Sequence, residues 1–229
     1  MPRDYSDRVQ FFTENVPVLL DQALGQSNWT SILDLGCGDG ALLYALDKKG
    51  YFKGKTVYAI DLSEQRINSA KTINDTFLCT VADASHTQLE DGSIDFLISD
   101  QVIEHVPDDA DMIREIHRIM AKDGIVYLGT IFKKSYAWYF YRCNGKWTID
   151  PTHVREYTQD DQLLDKLKKQ GLEILECKKT LESRPLMDAV LRRLGASNTV
   201  YQMRGLKSMR RLRLPIPGYF NWEILCRKP

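Results

Sequence analysis

A glycine-rich turn carries the clearest chemical signal in this sequence. The apolar run 32–35 leads into the turn Gly36-Cys37-Gly38-Asp39-Gly40, and residues 41–46 are then predicted to form a helix. Glycine lets the chain turn sharply and lets a ligand lie against the main chain. The first N–H groups of the helix point toward that ligand. The pattern therefore predicts a binding site for a nucleotide-like cofactor, since a turn without a ligand has no need of three glycines.

Two cofactor classes fit the turn. Gly36, Gly38 and Ala41 match the dinucleotide fingerprint of dehydrogenases, in which a pyrophosphate lies at the helix N-terminus. Asp34 and Asp39 would repel a pyrophosphate and favour a cationic ligand. The stretch 34–40 resembles the first motif of class I S-adenosylmethionine-dependent methyltransferases, Asp/Glu-x-Gly-x-Gly-x-Gly. This resemblance implies S-adenosylmethionine as cofactor, with S-adenosylhomocysteine as product.

Acidic residues also end the predicted strands that follow. Asp61 stands 21 residues after Gly40, where an acid accepts hydrogen bonds from ribose hydroxyls. The resemblance further implies that Asp83 faces the adenine amino group and that Ala84 leaves room for the ring. The predicted cofactor-binding residues are Asp34, Gly36, Cys37, Gly38, Gly40, Asp61, Leu62, Asp83, Ala84, Asp100 and Gln101.

Two histidines are candidates for the general base. His105 lies in a Glu-His-Val stretch after the fourth predicted strand, and such a stretch is common in metal-independent small-molecule methyltransferases. His153 lies in the segment 150–157, which resembles the Asp-x-x-His-x-Arg-x-Tyr/Phe stretch of methyltransferases that modify sugars and lipids. Histidine titrates near neutral pH and can take the proton of a hydroxyl nucleophile. The alternative is that these residues hold their loops through hydrogen bonds.

An aromatic segment follows the fifth predicted strand. Residues 132–147 contain seven aromatic side chains, and the fold places them above the cofactor pocket. Three interpretations stay open, namely a lid that packs its own small core, a wall for an apolar or stacking substrate, and a membrane-interface contact. The predicted substrate-binding residues of this segment and the next loop are Tyr136, Trp138, Tyr141, Arg155 and Tyr157.

A basic segment lies near the C-terminus. Residues 184–213 contain eight Lys and Arg and one acid, whereas the whole chain balances 31 basic against 31 acidic residues. The segment is either a solvated helix face or a site for an anionic partner such as a sugar phosphate, a lipid phosphate or a bilayer surface. Nucleic acid is disfavoured because the sequence pI is about 6.9.

Length and patterning predict one α/β domain of 229 residues. Further helices are predicted over residues 5–24 and 110–121, and a capping box at Thr158 and Asp161 predicts another helix to Gln170. Strands alternate with helices, which predicts a doubly wound, mainly parallel sheet. The resemblance implies seven strands, with the antiparallel last strand between the fifth and sixth. Residues 25–131 would form the cofactor core, 132–157 the aromatic lid and 181–217 a basic helical insertion.

Three functions remain open. The first is O-methylation of a small molecule or of a lipid- or nucleotide-linked sugar by direct in-line transfer. The second is methylation of tRNA or protein, and the third is a non-catalytic subunit that binds the cofactor. No cysteine pairing or cluster of acids and histidines indicates a metal site, so metal independence is expected. The sequence has no membrane-spanning run and suggests a cytoplasmic protein whose segment 184–213 can contact a membrane peripherally.

Overall fold

The computed structural model describes residues 12–139, 141–143, 145–185 and 212–229. Its strands are β1 (Ser31–Leu35), β2 (Thr56–Asp61), β3 (Leu78–Val81), β4 (Ile94–Asp100), β5 (Met120–Lys133), β6 (Tyr141–Cys143), β7 (Lys146–Thr148), β8 (Glu173–Pro185) and β9 (Arg213–Arg227). Its helices are α1 (Val18–Gln26), α2 (Ala41–Lys48), α3 (Glu64–Lys71), α4 (Asp109–Ile119) and α5 (Asp161–Lys169).

Seven strands form the central sheet in the order β3-β2-β1-β4-β5-β9-β8. The first five strands pair in parallel, whereas β9 runs antiparallel to both β5 and β8. This order confirms the predicted doubly wound sheet with its last strand between the fifth and sixth. Because parallel strands end at the same edge, the loops after β1, β2, β3 and β4 meet there.

Apolar side chains cover both faces of the sheet. One cluster packs Ile113 and Ile116 of α4 and Leu163 of α5 against the sheet residue Trp222, and the second cluster includes Leu20 of α1. Helix α4 buries its apolar residues at helical spacing, and Asp108 accepts a hydrogen bond from the Ala110 N–H at 2.8 Å to cap it. The two layers hold the strand ends, and therefore the site, in fixed positions.

The first helix is shorter than predicted. It begins at Val18 rather than at residue 5, and residues 12–17 are not helical. Pro17 explains the boundary, because proline has no N–H to donate and disfavours helical geometry in the residue before it. Residues 1–11 of the predicted helix lie outside the described ranges. The connection from β3 to β4 also departs from strict alternation, since it is a loop without a helix.

The helix α5 is capped by a different side chain from the one that the predicted capping box at Thr158 and Asp161 requires. Gln162, not Asp161, reaches back, and its side-chain oxygen accepts hydrogen bonds from the N–H groups of Thr158 and Gln159 at 2.8 and 3.2 Å. Gly171 follows the helix at φ 85°, as expected for the residue after a helix end.

The described residues of the two insertions, the aromatic lid and the basic insertion, include β-strands. The aromatic lid holds the hairpin of β6 and β7. The ends of the basic insertion continue the long strands β8 and β9, and residues 186–211, where the helical part was predicted, lie outside the described ranges. Within those ranges, no helix has the length and apolar character needed to cross a bilayer.

Candidate functional site

The glycine turn after β1 has the geometry that its sequence requires. Gly36, Gly38 and Gly40 have φ values of 85°, 55° and 83°, in the left-handed region that favours glycine. A Cβ atom at Gly36 would overlap Val102, and one at Gly40 would overlap Ile73. The turn is therefore fixed both by backbone conformation and by close packing, as predicted for a cofactor-binding loop.

Asp61 ties the turn to the end of β2. Its carboxylate accepts the Gly38 N–H and the Ser63 N–H, each at 2.9 Å. A carboxylate has about four acceptor positions, so two bonds leave room for further donors such as ribose hydroxyls. The next side chain, Leu62, is 72% exposed. An exposed leucine beside this carboxylate offers an apolar surface to a flat ring.

Asp83 and Ala84 follow β3 in an exposed turn. One Asp83 oxygen accepts the Ser85 N–H at 2.7 Å, which orients the carboxylate. The structure thus brings Asp34, Asp61, Asp83 and Asp100 to the same edge of the sheet, because each follows or ends one of four neighbouring parallel strands. The order of the parallel strands therefore places these four acids around the glycine turn, as predicted.

Two of these acids have a carboxyl oxygen that solvent does not reach, and Asp34 as a whole is 3% exposed. Burial and, to a smaller extent, the neighbouring carboxylates of Asp100 and Asp61 raise the pKa of Asp34 to about 8. Burial likewise raises the pKa of Asp100 to about 7, together with repulsion from Glu104, Glu223 and Glu182. One oxygen of Asp34 and one of Asp100 have no hydrogen-bond partner. Buried polar atoms normally have partners, so these two oxygens call for a ligand.

The loop after β4 places Asp100 with some strain. Gln101 has φ 59°, which is uncommon for a residue other than glycine. Its N–H donates to the Gly129 carbonyl at 2.8 Å, and a Cβ at Gly129 would overlap the Asp100 carboxylate. Glycine on β5 therefore makes the space that Asp100 occupies. Strained backbone of this kind is concentrated at ligand sites.

These features fit S-adenosylmethionine. The cofactor is cationic at its ammonium and sulfonium groups, and buried carboxylates with unpartnered oxygens lower the energy of a nearby cation. Asp61 would accept bonds from the ribose, Leu62 and Ala84 would flank the adenine, and Asp83 would accept from its amino group. A pyrophosphate would instead raise both pKa values further and leave these oxygens without a cation, which disfavours the dinucleotide interpretation.

The two candidate bases lie together. The rings of His105 and His153 pack edge to face with their centroids 4.8 Å apart. His105 Nδ1 lies 3.3 Å from the Thr152 carbonyl oxygen, and His153 Nδ1 lies 3.2 Å from a carboxylate oxygen of Glu156. The sequence left open which histidine faces the site, and the structure places them side by side.

Glu104 completes a cluster with the two histidines. Its side chain is fully buried, one oxygen accepts the Thr130 hydroxyl at 2.9 Å, and the other has no partner. Each of Glu104, His105 and His153 offers one ligand atom, and these three atoms lie within 4.8 Å of one another. They are close enough to hold a metal ion. Metal independence stays a prediction, and this cluster is where it is to be tested.

The lid separates into a packed side and an exposed side. Tyr139 packs with Ala137 and Ile149 against the sheet residue Tyr219. Three of the predicted substrate contacts are exposed on the lid, with exposed fractions of 68% for Tyr136, 47% for Trp138 and 46% for Tyr141. These three side chains expose aromatic surface, and Trp138 and Tyr141 also pack on the rings of Trp147 and Tyr139. The neighbouring apolar residues form the small core expected of a packed lid.

Arg155 and Tyr157 make hydrogen bonds within the protein, which for Arg155 is the alternative that the sequence left open. The Arg155 guanidinium donates to the carbonyls of Ile103 and Pro107, both at 2.6 Å. The Tyr157 side chain is buried and donates its hydroxyl to Asp109 at 2.9 Å. These bonds hold the loop 150–157 against the loop after β4 and the first turn of α4, and a substrate contact by either residue stays a prediction.

Sequence reasoning missed Glu104 and Glu156. Glu104 stood in the Glu-His-Val stretch and Glu156 in the segment 150–157, so the signal was present in both motifs. Glu156 also accepts the Thr148 hydroxyl at 2.7 Å, the Ile149 N–H at 2.9 Å and the Lys133 ammonium at 3.0 Å. These partners lie between 7 and 23 residues from Glu156 in the chain, and their bonds hold the carboxylate that contacts His153 Nδ1.

Known proteins resemble the chain at this site. Residues 33–128 match a protein family described as a methyltransferase domain. A ubiquinone biosynthesis O-methyltransferase of Neisseria meningitidis serogroup A is 31% identical over 132 residues, which cover 52% of this chain and 53% of that protein. The chain thus spans about half the length of this curated relative.

Solved structures share the fold across nearly the whole chain. A SAM-dependent methyltransferase of Methanosarcina mazei superposes with a TM-score of 0.62 at 17% identity, covering 93% of this chain and 98% of that one. A geranyl diphosphate methyltransferase in complex with SAM superposes with a TM-score of 0.60 at 16% identity, covering 92% and 83%. Residues 33–128, which contain the glycine turn and the four acids, therefore match a methyltransferase domain, and the fold is that of solved methyltransferases.

Proposed function

We propose that this protein is an S-adenosylmethionine-dependent methyltransferase that methylates an oxygen atom of a small molecule or of a lipid- or nucleotide-linked sugar. The observation that carries the proposal is the pair Asp34 and Asp100 beside the glycine turn, each with a buried carboxyl oxygen that has no hydrogen-bond partner. Such a pair is costly unless a cation binds next to it. The name of the Neisseria relative, an O-methyltransferase, supports oxygen as the acceptor atom.

The chemistry asks little of the protein beyond alignment and proton removal. When bound, S-adenosylmethionine supplies an activated methyl group on a sulfonium. The sheet edge and the lid would hold the acceptor in line with that methyl group. The hydroxyl proton would pass to His153 or His105, whose Nδ1 atoms are held by Glu156 and by the Thr152 carbonyl.

The lid supports a substrate of mixed character. Tyr136, Trp138 and Tyr141 present aromatic surface, and Arg184 and Arg213 at the ends of β8 and β9 are exposed cations. A flat or apolar acceptor with an anionic group would match both features. We further propose cytoplasmic activity with a peripheral membrane contact through segment 184–213. Nucleic acid is the less favoured partner, and methylation of tRNA or protein and a non-catalytic role are the competing functions.

Transfer of labelled methyl groups tests the acceptor class. The protein is incubated with methyl-labelled S-adenosylmethionine and a lysate of the host, and the products are separated into organic-soluble, small aqueous and macromolecular fractions. Label in either of the first two fractions supports the proposal. Label confined to macromolecules would replace it with tRNA or protein methylation, and no label above a heat-inactivated control would favour the non-catalytic role.

A matched pair of variants tests the cofactor site. Asp61→Asn removes a carboxylate that accepts two backbone N–H groups and faces the expected ribose, whereas Asp75→Asn changes an exposed acid in the turn before β3. Loss of one charged hydrogen-bond acceptor costs about 1.5–3 kcal/mol, so cofactor affinity should fall at least about tenfold in the first variant. Equal affinity in the two variants, measured by calorimetry, would contradict the assignment of Asp61.

A further inference from the structure

We propose that Glu104, His105 and His153 form a binding site for one divalent transition-metal cation, with Zn²⁺ as the best match. The site goes beyond the proposed function and does not depend on it, because it is defined by three side chains and not by the cofactor. The loop after β4 supplies Glu104 and His105, and the loop after the lid hairpin supplies His153. Only the folded chain brings the three together.

Glu104 supplies the strongest indication of a ligand. Its carboxylate is fully buried, yet only one oxygen has a partner, the Thr130 hydroxyl at 2.9 Å. A buried carboxylate oxygen without a partner costs free energy that a bound cation would recover. The three residues can each offer a ligand atom within 4.8 Å of the other two.

The histidines are oriented as metal ligands usually are. Nδ1 of His105 faces the Thr152 carbonyl oxygen at 3.3 Å, and Nδ1 of His153 faces the Glu156 carboxylate at 3.2 Å. The Thr152 hydroxyl also lies 3.3 Å from His105 Nδ1 and donates its proton to Asp150. Because all of these oxygens can accept, Nδ1 is the donor when it bonds to them, and Nε2 is then the ring nitrogen that can bind a cation. Metal-binding histidines characteristically donate their second ring nitrogen to such oxygens.

The local charge also favours a cation. The carboxyl groups of Asp150 and Asp100 lie near the Glu104 carboxyl. The nearby Arg155 guanidinium is directed at the Ile103 and Pro107 carbonyls, so it does not neutralise the cluster. A divalent ion would offset this concentration of carboxylates.

The ligand types select the metal. Two imidazoles and one carboxylate form the His₂Glu set of open zinc sites, which leaves a fourth position for water or substrate. Mg²⁺ and Ca²⁺ prefer oxygen ligands and are a poorer match. Glu156 becomes the outer partner that fixes the His153 ring, and such partners typically change metal affinity 10- to 100-fold when replaced.

One consequence rests on the proposed function. A hydroxyl group of the acceptor in the open fourth position would lose its proton to water more easily, because the cation stabilises the oxygen anion. The lone pair of that oxygen would then form the O–CH₃ bond while the S–CH₃ bond breaks and its electron pair stays on sulfur. The histidines would in this case hold the cation and would not accept the proton.

Cobalt binding tests the site directly. Metal-free protein, prepared with EDTA and desalted, is titrated with Co²⁺ while the visible absorption is recorded, and Zn²⁺ is then added as a competitor. We expect one Co²⁺ per chain at this site and its displacement by Zn²⁺. Absence of any saturable Co²⁺ or Zn²⁺ binding by the unaltered full chain would overturn the proposal without reference to a variant.

Variants locate the metal. His153→Ala and Glu104→Gln should each weaken Co²⁺ binding at least 10-fold, and Glu156→Gln should weaken it about 10- to 100-fold. The matched control is His117→Ala, because His117 lies near the C-terminal end of α4, beside Lys228. Unchanged binding in a folded His153→Ala protein, or equal loss in the control, would refute the assignment. Cofactor binding measured on the same metal-free samples separates this outcome from failure of the proposed function.

Discussion

Cofactor binding should release protons, because Asp34 and Asp100 hold protons in the free protein that a cation would expel. The perturbation is the addition of S-adenosylmethionine at fixed pH. In the free protein the pKa of Asp34 is raised to about 8 and that of Asp100 to about 7, first by burial and then by neighbouring carboxylates. A nearby positive charge stabilises the ionised form of both groups and lowers both pKa values.

The magnitude follows from these two values. At pH 7 a group of pKa about 8 is about 90% protonated and one of pKa about 7 is about 50% protonated, so binding would release about 1.4 protons if both groups become fully ionised. If the two groups titrate independently, the affinity for S-adenosylmethionine would rise about 50-fold from pH 6 to pH 7. The window stays below the ordinary α-amino pKa of about 7.7–8.0, so the cofactor ammonium remains largely charged.

Calorimetry in buffers of different ionisation enthalpy measures the release. The slope of the observed binding enthalpy against the buffer enthalpy gives the number of protons, and a pH series gives the change in affinity. Asp34→Asn should lower the release at pH 7 by about 0.9 protons, the share that Asp34 contributes. Asp75→Asn, at an exposed position, should leave the release unchanged.

Two results would refute the reasoning. Binding without proton exchange would mean that the carboxylates are already ionised or stay protonated in the complex. Affinity that falls as pH rises from 6 to 7 would mean that the ligand meets the acids as an anion, as a pyrophosphate would. Either result would remove the buried pair as support for a cationic cofactor.

Three further predictions concern stability. The folded-state pKa of Asp34 is raised, so the unaltered protein loses stability as pH rises from 4 through 8. Asp34→Asn removes this loss and should stabilise the cofactor-free protein by on the order of several kcal/mol at pH 9. Thermal unfolding measured across this pH range gives the difference. Despite burial, hydrogen bonds from Arg118 and Thr87 lower the pKa of Glu115 to about 2, so its contribution is present above about pH 4.5 and is lost as pH falls toward 2. Glu115→Gln should therefore cost about 2 kcal/mol in urea unfolding at pH 7 and little at pH 2, and an equal cost at both would argue against an ionised Glu115. Tyr157→Phe removes the hydrogen bond to Asp109 and should cost about 2 kcal/mol of stability while leaving the KM of methyl transfer unchanged. A raised KM with unchanged stability would instead indicate that Tyr157 contacts the substrate.

The cofactor half of the site was predictable from the sequence because its signals are local. Glycines at 36, 38 and 40 and acids at strand ends appear within short motifs, and the parallel order of the strands brings them to one edge. Helix α1 was predicted too long, because Pro17 interrupts an apolar stripe that by itself favoured a longer helix.

The acceptor half was less predictable because its residues act through distant partners. Tyr157 looked like a substrate contact in its motif, yet its hydroxyl meets Asp109, 48 residues away. Glu104 and His153 meet across a comparable separation, and no spacing rule in the sequence indicates that distance. The sequence motifs therefore identified the loops that form this half of the site but not the residues that their side chains contact.

The sequence by itself determined the sheet, the glycine turn and the acids that favour a cationic cofactor, since strand patterning and turn chemistry depend on neighbouring residues. The tertiary structure alone decided which side chains are buried without partners, which histidine is held by which oxygen, and that Glu104 joins the two histidines. Burial and electrostatic coupling depend on packing between segments far apart in the chain, and that packing exists only once the layers have closed on the sheet.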